Sequence, residues 1–197
     1  MSAGDTERPV AATSGLPPGS IEEARALIAD IPDPEIPVLT LEDLGILRGV
    51  HEEAGHLVVS LTPTYTGCPA TEAIRDEVER TLAQAGHVGA QVRLTLSPPW
   101  STDWISARGR RRLTDYGIAP PACAAGDLPG QGEHPGSAQV IRFMPRAASL
   151  SGVEATITCP RCASPHTEQL SAHSSTPCKA LYRCLTCREP FDYFKPY

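Results

Sequence analysis

Two pairs of cysteines near the end of the chain have the spacing of a metal site. Cys159 and Cys162 form one CxxC sequence, and Cys184 and Cys187 form a second after 21 intervening residues. A CxxC sequence places two thiolates on one tight turn, and two such turns supply the four sulfurs of a tetrahedral Zn²⁺ site. The roughly forty residues that contain these pairs are too few to build a self-sufficient core, so the metal is expected to stabilise their fold. The spacing predicts structural zinc, with a four-cysteine iron–sulfur cluster as the open alternative.

Other thiol and imidazole groups near these pairs are weaker candidates for metal ligands. Cys178 lies six residues before the second pair, and His166 and His173 lie between the two pairs. Each could replace a ligand, but two regular CxxC pairs make this unnecessary. Cys123 lies in a Pro- and Gly-rich segment and is interpreted as incidental.

Cys68 is the second candidate for chemistry, because it directly precedes a predicted helix over residues 69–85. Pro69 at the first helical position would place Cys68 at the N-cap. There the helix dipole and unpaired N–H groups stabilise a thiolate. Thr64 and Thr66 can donate hydroxyl hydrogen bonds to the sulfur or to a bound anion. A buried structural cysteine is the alternative, but the polar loop favours a functional one.

Two carboxylates, Asp33 and Glu35, lie on a proline-flanked loop. They could bind a metal or place a carboxylate near Cys68. Because Asp and Glu side chains are mostly exposed, the residue types alone favour a polar loop whose charges face water.

Composition excludes several classes of protein. The 197 residues carry a net charge of −6, which argues against a general nucleic-acid binder because phosphate binding needs clustered Lys and Arg. The basic run over residues 108–112 is interpreted as a solvated face. The N-terminus lacks the features of a signal peptide, and no apolar run is long enough to span a membrane. We therefore expect a cytoplasmic protein whose thiols stay reduced.

The pattern of apolar residues predicts a small α/β domain followed by a short cysteine-containing domain. Ser20 and Glu23 form a capping box that opens a helix, and Thr40 is expected to cap a short turn. The apolar face of the first helix is predicted to consist of Ile21, Ala24, Leu27 and Ile28, and that of the helix over 69–85 of Ile74, Val78 and Leu82. Strands are predicted over Ile46–His51, Leu57–Leu61 and Gln91–Leu96, and a hairpin turn at residues 52–55 is predicted to join the first two. Helices are predicted over 69–85 and Trp104–Tyr116, the last one packed on the sheet.

These elements predict four segments. Residues 1–19 are expected to be disordered, 20–118 to form the α/β domain, 119–137 to form a linker and 138–197 to form the cysteine-containing domain. Four of the eight Phe and Tyr residues of the chain lie in its last seven residues. Phe191 and Phe194 are predicted to be core residues, and Tyr197 to be exposed.

Residues 20–118 resemble the SufT-like family of small iron–sulfur assembly proteins. The resemblance is carried by Asp33-Pro-Glu-Ile-Pro37, by Leu44-Gly-Ile46 and by Leu61-Thr-Pro-Thr-Tyr-Thr-Gly-Cys-Pro69. The segment from Cys178 to Lys195, fused to such a domain, resembles the PaaD (PaaJ) family of the ring-1,2-phenylacetyl-CoA epoxidase (phenylacetate-CoA oxygenase) system.

The resemblance implies an α/β (α+β) fold, in which a small two-layer domain with a short mixed sheet is followed by a zinc ribbon. It also implies an accessory role in phenylacetate degradation, without turnover of its own. In this role the protein helps to mature the metal centres of the epoxidase, above all the iron–sulfur cluster of its flavin reductase. Cys68 matches the cysteine implicated in cluster handling, with Thr66, Asp33 and Glu35 as supporting residues. A transient 2Fe–2S or 4Fe–4S cluster needs four ligands, so a homodimer or the client would supply the others.

Three other functions remain open. A scaffold or docking component of the oxygenase would keep the zinc ribbon without handling iron. An enzyme with Cys68 as nucleophile would need a base such as His51, His56 or His87 within hydrogen-bond reach. A zinc-ribbon nucleic-acid binder is disfavoured by the acidic charge.

Overall fold

The computed structural model describes residues 20–121 and 157–197, which fall into two compact units divided between Trp100 and Ser101. The segment predicted to be disordered, most of the predicted linker, the start of the predicted ribbon domain and Cys123 lie outside the described residues. None of the described helices has the length and apolar character of a membrane-spanning segment.

The first unit is a three-stranded mixed sheet with helices, as the resemblance implied. The strand order is β1-β2-β3, with β1 and β2 antiparallel and β2 and β3 parallel. Its elements are α1 (Ser20–Ala29), α2 (Leu41–Leu44), β1 (Leu47–Glu53), β2 (His56–Leu61), α3 (Ala70–Gln84) and β3 (Gln91–Leu94).

Local sequence signals account for several of these elements. The β1–β2 hairpin turns at Ala54 and Gly55, whose φ angles of 51° and 80° are both positive, as a two-residue type I′ turn requires. The predicted cap of α2 is confirmed: the Thr40 hydroxyl accepts from the Asp43 N–H, and the Asp43 carboxylate accepts from the Thr40 N–H. Gly45 ends α2 in the left-handed conformation.

Aliphatic side chains form the core of the first unit. The predicted apolar face of α3 is confirmed, since Ile74, Val78 and Leu82 are all buried. Helix α1 buries Ala24 and Ile28, but the prediction for Leu27 is wrong, because its side chain is 45% exposed. Ala24 and Ile28 are four residues apart and lie almost directly above each other on a helix, whereas Leu27 is rotated away from them.

Over its described residues, the second unit consists of a four-stranded sheet with one α-helix beside it. The strand order is β4-β7-β6-β5, with β4 parallel to β7 and the other neighbours antiparallel. Its elements are a 3₁₀ turn (Thr102–Trp104), α4 (Ala107–Tyr116), β4 (Ile118–Ala119), β5 (Thr167–Ser171), β6 (Lys179–Cys184) and β7 (Pro190–Phe194).

The division between the units falls before the predicted domain boundary at residue 118. Strand β4 directly follows α4 and pairs with β7, so both elements belong to the second unit. The helix predicted over Trp104–Tyr116 thus belongs to the second unit, and its packing on the sheet of the first unit stays a prediction. It is also interrupted, because Ser106 caps a helix that starts only at Ala107.

The second unit is built around the metal-site cysteines and aromatic residues. Phe191 and Phe194 are buried, as predicted, and Tyr197 is 43% exposed. The core cluster itself contains two of the cysteines of the predicted zinc site. Its buried members are Ala119, Cys159, Ala180, Cys184, Phe191 and Tyr193.

Candidate functional site

The first CxxC pair lies on a tight turn closed by its own backbone. The N–H of Ala163 donates to the carbonyl of Cys159 at 2.9 Å, and the N–H of Cys159 donates to the carbonyl of Ser164 at 3.0 Å. Ala163 has a φ of 57°, in the left-handed region that a non-glycine residue seldom adopts. The turn reverses the chain so that Cys159 and Cys162 lie on the same side.

The second pair repeats this geometry position by position. The N–H of Arg188 donates to the carbonyl of Cys184, and the N–H of Cys184 donates to the carbonyl of Glu189, both at 3.0 Å. Arg188, like Ala163, is left-handed, with a φ of 68°. We call these two turns the first hook (159–164) and the second hook (184–189).

The two hooks bring four sulfurs close together. The Sγ atoms of all four cysteines lie within 4.8 Å of one another. Cys159 Sγ lies 3.8 Å from Cys187 Sγ, and Cys162 Sγ lies 3.6 Å from Cys184 Sγ. A tetrahedral ion with metal–sulfur bonds of about 2.3 Å has sulfur–sulfur edges of about 3.8 Å. The sequence-predicted ligands are therefore brought together at the spacing of one bound metal ion.

The thiols of the hooks differ in acidity. The backbone N–H of Cys187, which lies 3.5 Å from Cys184 Sγ, is the main reason why the pKa of Cys184 is lowered to about 6. The backbone at Ser164 favours the Cys162 thiolate, but desolvation and the neighbouring thiols outweigh it and raise the pKa of Cys162 to about 12. Several thiolates in so small a space repel one another, and a divalent cation at their centre removes that repulsion.

The weaker candidates lie outside the group of four. Cys178 is buried, and its Sγ lies 3.0 Å from the Thr176 hydroxyl. His166 and His173 are exposed, and neither belongs to the group of four cysteines. A contact that the sequence analysis missed joins the hooks: the hydroxyls of Ser164 and Thr186 are 2.7 Å apart. No sequence signal pairs these two residues, because 21 residues separate them.

Cys68 is half-buried on the loop between β2 and α3. Its N–H donates to the Tyr65 carbonyl at 3.3 Å, and its carbonyl accepts from the Thr71 N–H at 3.1 Å. Gly67, with a φ of 85°, makes the sharp turn before it. The helix begins one residue later than predicted, with Pro69 as N-cap, because the bond to Thr71 spans three residues rather than the four of an α-helix. Cys68 therefore lies just before the N-cap.

The residue types favoured a loop whose charges face water, but the Asp33 side chain is buried. Asp33 is only 6% exposed, and its Oδ1 accepts hydrogen bonds from the N–H groups of Glu35 and Ile36 at 2.9 and 2.8 Å. The Asp33 N–H donates to the Leu39 carbonyl at 2.8 Å, which closes the loop. Asp33 thus organises its own loop, whereas Glu35 is half-buried on it.

The topology places this loop and Cys68 at one end of the first unit. Leu47 at the start of β1 pairs with Leu61 at the end of β2, and the N–H of Thr62 donates to the carbonyl of Ile46 at 2.9 Å. The Asp33 loop and α2 lead into the start of β1, and the loop with Thr66 and Cys68 leaves the end of β2. Whether Thr66, Asp33 and Glu35 act together with Cys68 stays a prediction.

The histidines considered as a base for Cys68 lie towards the other end of the unit. His56 begins β2 at the hairpin turn, and its ring lies beside Gly89, where an added Cβ atom would be 3.2 Å away. His87 follows the C-terminus of α3, whose 15 residues separate it by about 22 Å from the loop of Cys68. His51 lies 3.9 Å from Glu53 on β1. This geometry gives Cys68 no imidazole base from these three residues.

Comparison with known proteins places both units in families. Residues 21–94 match the family described as iron–sulfur cluster assembly protein, and residues 144–195 match the PaaD zinc beta ribbon domain. A protein of Escherichia coli (strain K12), provisionally named as the D component of 1,2-phenylacetyl-CoA epoxidase, is 44% identical over 91% of this chain and 95% of its own length. The chain belongs to this PaaD family.

The first unit of this PaaD-family protein also has shorter relatives. An Fe–S protein maturation auxiliary factor of Porphyromonas gingivalis is 33% identical and aligns with 47% of this chain and 89% of its own length. The crystal structure of a domain of unknown function, DUF59, from Bacillus anthracis covers 48% of this chain and 92% of that structure, with 26% identity and a TM-score of 0.44.

Proposed function

We propose that this PaaD-family protein is a maturation factor of a phenylacetyl-CoA epoxidase system that works in the cytoplasm and has no turnover of its own. In this role it assists assembly of an iron–sulfur cluster, or of the di-iron centre, in the oxygenase components. The client favoured here is the iron–sulfur flavin reductase. The observation that carries the proposal is Cys68, a half-buried thiol on a loop before a helix, within the residues that match the iron–sulfur assembly family.

The position of Cys68 supports transient rather than permanent binding of a cluster. The group of four cysteines in the second unit does not include it, and it contributes one ligand to a cluster that needs four. The remaining ligands would come from the client or from a second copy of the chain. A cluster held in this way is released when the other ligands leave, which suits a carrier.

The four cysteines of the hooks are proposed to hold a structural Zn²⁺ ion. Sulfur–sulfur distances of at most 4.8 Å suit a single tetrahedral ion. Ligand sulfurs of a 4Fe–4S cluster bind four different iron atoms and must stand further apart than those around one ion. The zinc would stabilise the ribbon rather than take part in cluster transfer.

The proposal is tested by replacing Cys68 with alanine and measuring the iron and acid-labile sulfide of the client reductase purified from the same cells. Cys178→Ala is the matched control, because it also removes a thiol that is not among the four metal-site cysteines. We expect Cys68→Ala to leave the protein folded and the reductase depleted of its cluster, whereas the control leaves the cluster content unchanged. Full cluster content of the reductase with Cys68→Ala would refute the proposed role.

A further inference from the structure

The two units carry opposite charge, which the overall value of −6 conceals. Residues 20–100 contain five Arg and Lys residues against thirteen Asp and Glu residues. The described part of the second unit, 101–121 and 157–197, contains nine against five. A local positive surface attracts anionic partners even when the whole chain is acidic, because screening limits charge interactions to about 10 Å.

Arginines of both units pair with carboxylates, as Arg183 does with Glu168 in the second unit, but over the described residues two arginines of the second unit do not. In the first unit, side-chain carboxylates pair with Arg25, Arg75, Arg80 and Arg93. In the second unit, Arg161 and Arg188 are both exposed, and within the described residues neither forms an ion pair. Their charge is thus available to a ligand in solution.

These two arginines lie on the hooks beside exposed apolar side chains. Arg161 is inside the first hook, and its side chain lies beside Gly117, the C-cap of α4. A Cβ atom added to Gly117 would be 3.6 Å from Arg161 Nη2. The preceding residue, Tyr116, is 60% exposed. In the second hook, Arg188 follows the last cysteine, and Leu185 is 43% exposed. The hooks meet at one metal site, so these four side chains share one end of the unit; we name them the hook surface.

We propose that the hook surface binds a protein partner through a patch of clustered carboxylates. Arginine and tyrosine are enriched in protein interfaces and among the residues that contribute most to binding. The guanidinium group pairs with a carboxylate in a bidentate geometry. A nucleic-acid interface is less consistent with the hook surface, because two arginines neutralise few phosphates. The proposal deepens the proposed function, and rests on it only in taking the client to be a protein.

The test uses the full-length zinc-bound protein and a fluorescein-labelled decaglutamate peptide at low ionic strength, with binding followed by fluorescence anisotropy. The double variant Arg161→Gln/Arg188→Gln should weaken peptide binding about fivefold, as expected for the loss of two exposed charge pairs. The matched control, Arg25→Gln/Arg80→Gln, removes the same charge from the first unit and should change the affinity less than about twofold. Zinc content is measured for each variant, so that loss of the hooks is recognised.

Two results would overturn the docking proposal. One is equal weakening by both double variants, which would mean that peptide binding follows net charge alone. The other is tighter binding of a single-stranded DNA decamer than of the peptide, with the same loss in Arg161→Gln/Arg188→Gln, which would make the hook surface a nucleic-acid site. Cys68→Ala should bind the peptide like the wild type. A failure of docking is thus distinguishable from a failure of the proposed role of Cys68.

Discussion

The cores of the two units are built from different kinds of side chain. Of the twelve large side chains that are most fully buried among the described residues, ten lie in the first unit, and the second unit contributes Leu113 and Phe194. The second unit instead places Cys159 and Cys184, two of the four metal-site cysteines, inside its core cluster. The first unit is therefore expected to fold on aliphatic burial, whereas the second is proposed to depend on a metal held by its four cysteines. Cys68 lies in the first unit but is not one of the buried residues of its core. The fold of this unit is therefore not expected to depend on the Cys68 thiol.

The largest effect is expected from removing one ligand of the hooks. Cys184→Ser should release the metal and unfold the second unit, because structural zinc contributes on the order of 10 kcal/mol to such folds. The first unit should keep its dispersed amide signals in a ¹H–¹⁵N correlation spectrum. Cys178→Ser is the control, since Cys178 lies outside the group of four cysteines, and it should retain the metal. A second unit that stays folded in Cys184→Ser would contradict the proposed role of the metal.

The same spectrum tests where the boundary between the two units lies. If β4 belongs with β7, the signals of α4 and β4 should collapse together with those of the hooks in Cys184→Ser. If those signals instead persist with the first unit, the boundary predicted from sequence at residue 118 would hold.

A core substitution should have the next largest effect, confined to the first unit. Leu82→Ala removes a completely buried side chain of α3 and should lower the free energy of unfolding of this unit by about 3 kcal/mol, measured by urea denaturation. Leu27→Ala, on the exposed side of α1, should cost less than about 0.5 kcal/mol. Metal content should be unchanged in both variants. A loss of zinc from Leu82→Ala would show that the stabilities of the two units are coupled.

The Asp33 loop offers a smaller test, of whether its carboxylate is structural. Asp33→Ala leaves two N–H groups without their acceptor and should cost the first unit about 1–2 kcal/mol in urea denaturation. Asp33→Asn keeps an oxygen acceptor and should recover most of the loss. If Asp33→Asn instead lowers the cluster content of the client reductase while stability is kept, Asp33 takes part in cluster handling as predicted from the resemblance.

The smallest expected effect concerns the strained backbone of a hook. Ala163 has a positive φ, which costs a non-glycine residue about 1 kcal/mol. Ala163→Gly should therefore stabilise the second unit by about 0.5 kcal/mol, visible as a higher thermal midpoint. Ala26→Gly, in the interior of α1, should have the opposite sign and destabilise by about 1 kcal/mol. Destabilisation by Ala163→Gly would show that this strain does not limit the stability of the hook.

Features that depend on neighbouring residues could be predicted from the sequence. The hooks, the cap at Thr40, the hairpin at Gly55 and the buried face of α3 each follow from a short local pattern. Features that depend on distant partners could not. The assignment of α4 to the second unit depends on the pairing of Ile118 with Asp192, far apart in the chain.

Burial of individual side chains was similarly hard to foresee. The exposure of Leu27 and the burial of Asp33 are set by the packing around them rather than by residue type. The four cysteines were predictable because a metal site needs fixed ligand types at fixed spacing.

The hooks are thus proposed to hold structural zinc, and Cys68 to handle iron. This division of roles is tested by metal and acid-labile sulfide analysis of anaerobically purified wild type, Cys68→Ala and Cys184→Ser. We predict that zinc is present in the wild type, unchanged in Cys68→Ala and lost from Cys184→Ser. Any iron and sulfide that co-purify with the wild type should be absent from Cys68→Ala. Iron and sulfide retained in Cys68→Ala but lost from Cys184→Ser would place the cluster on the hooks and contradict the account.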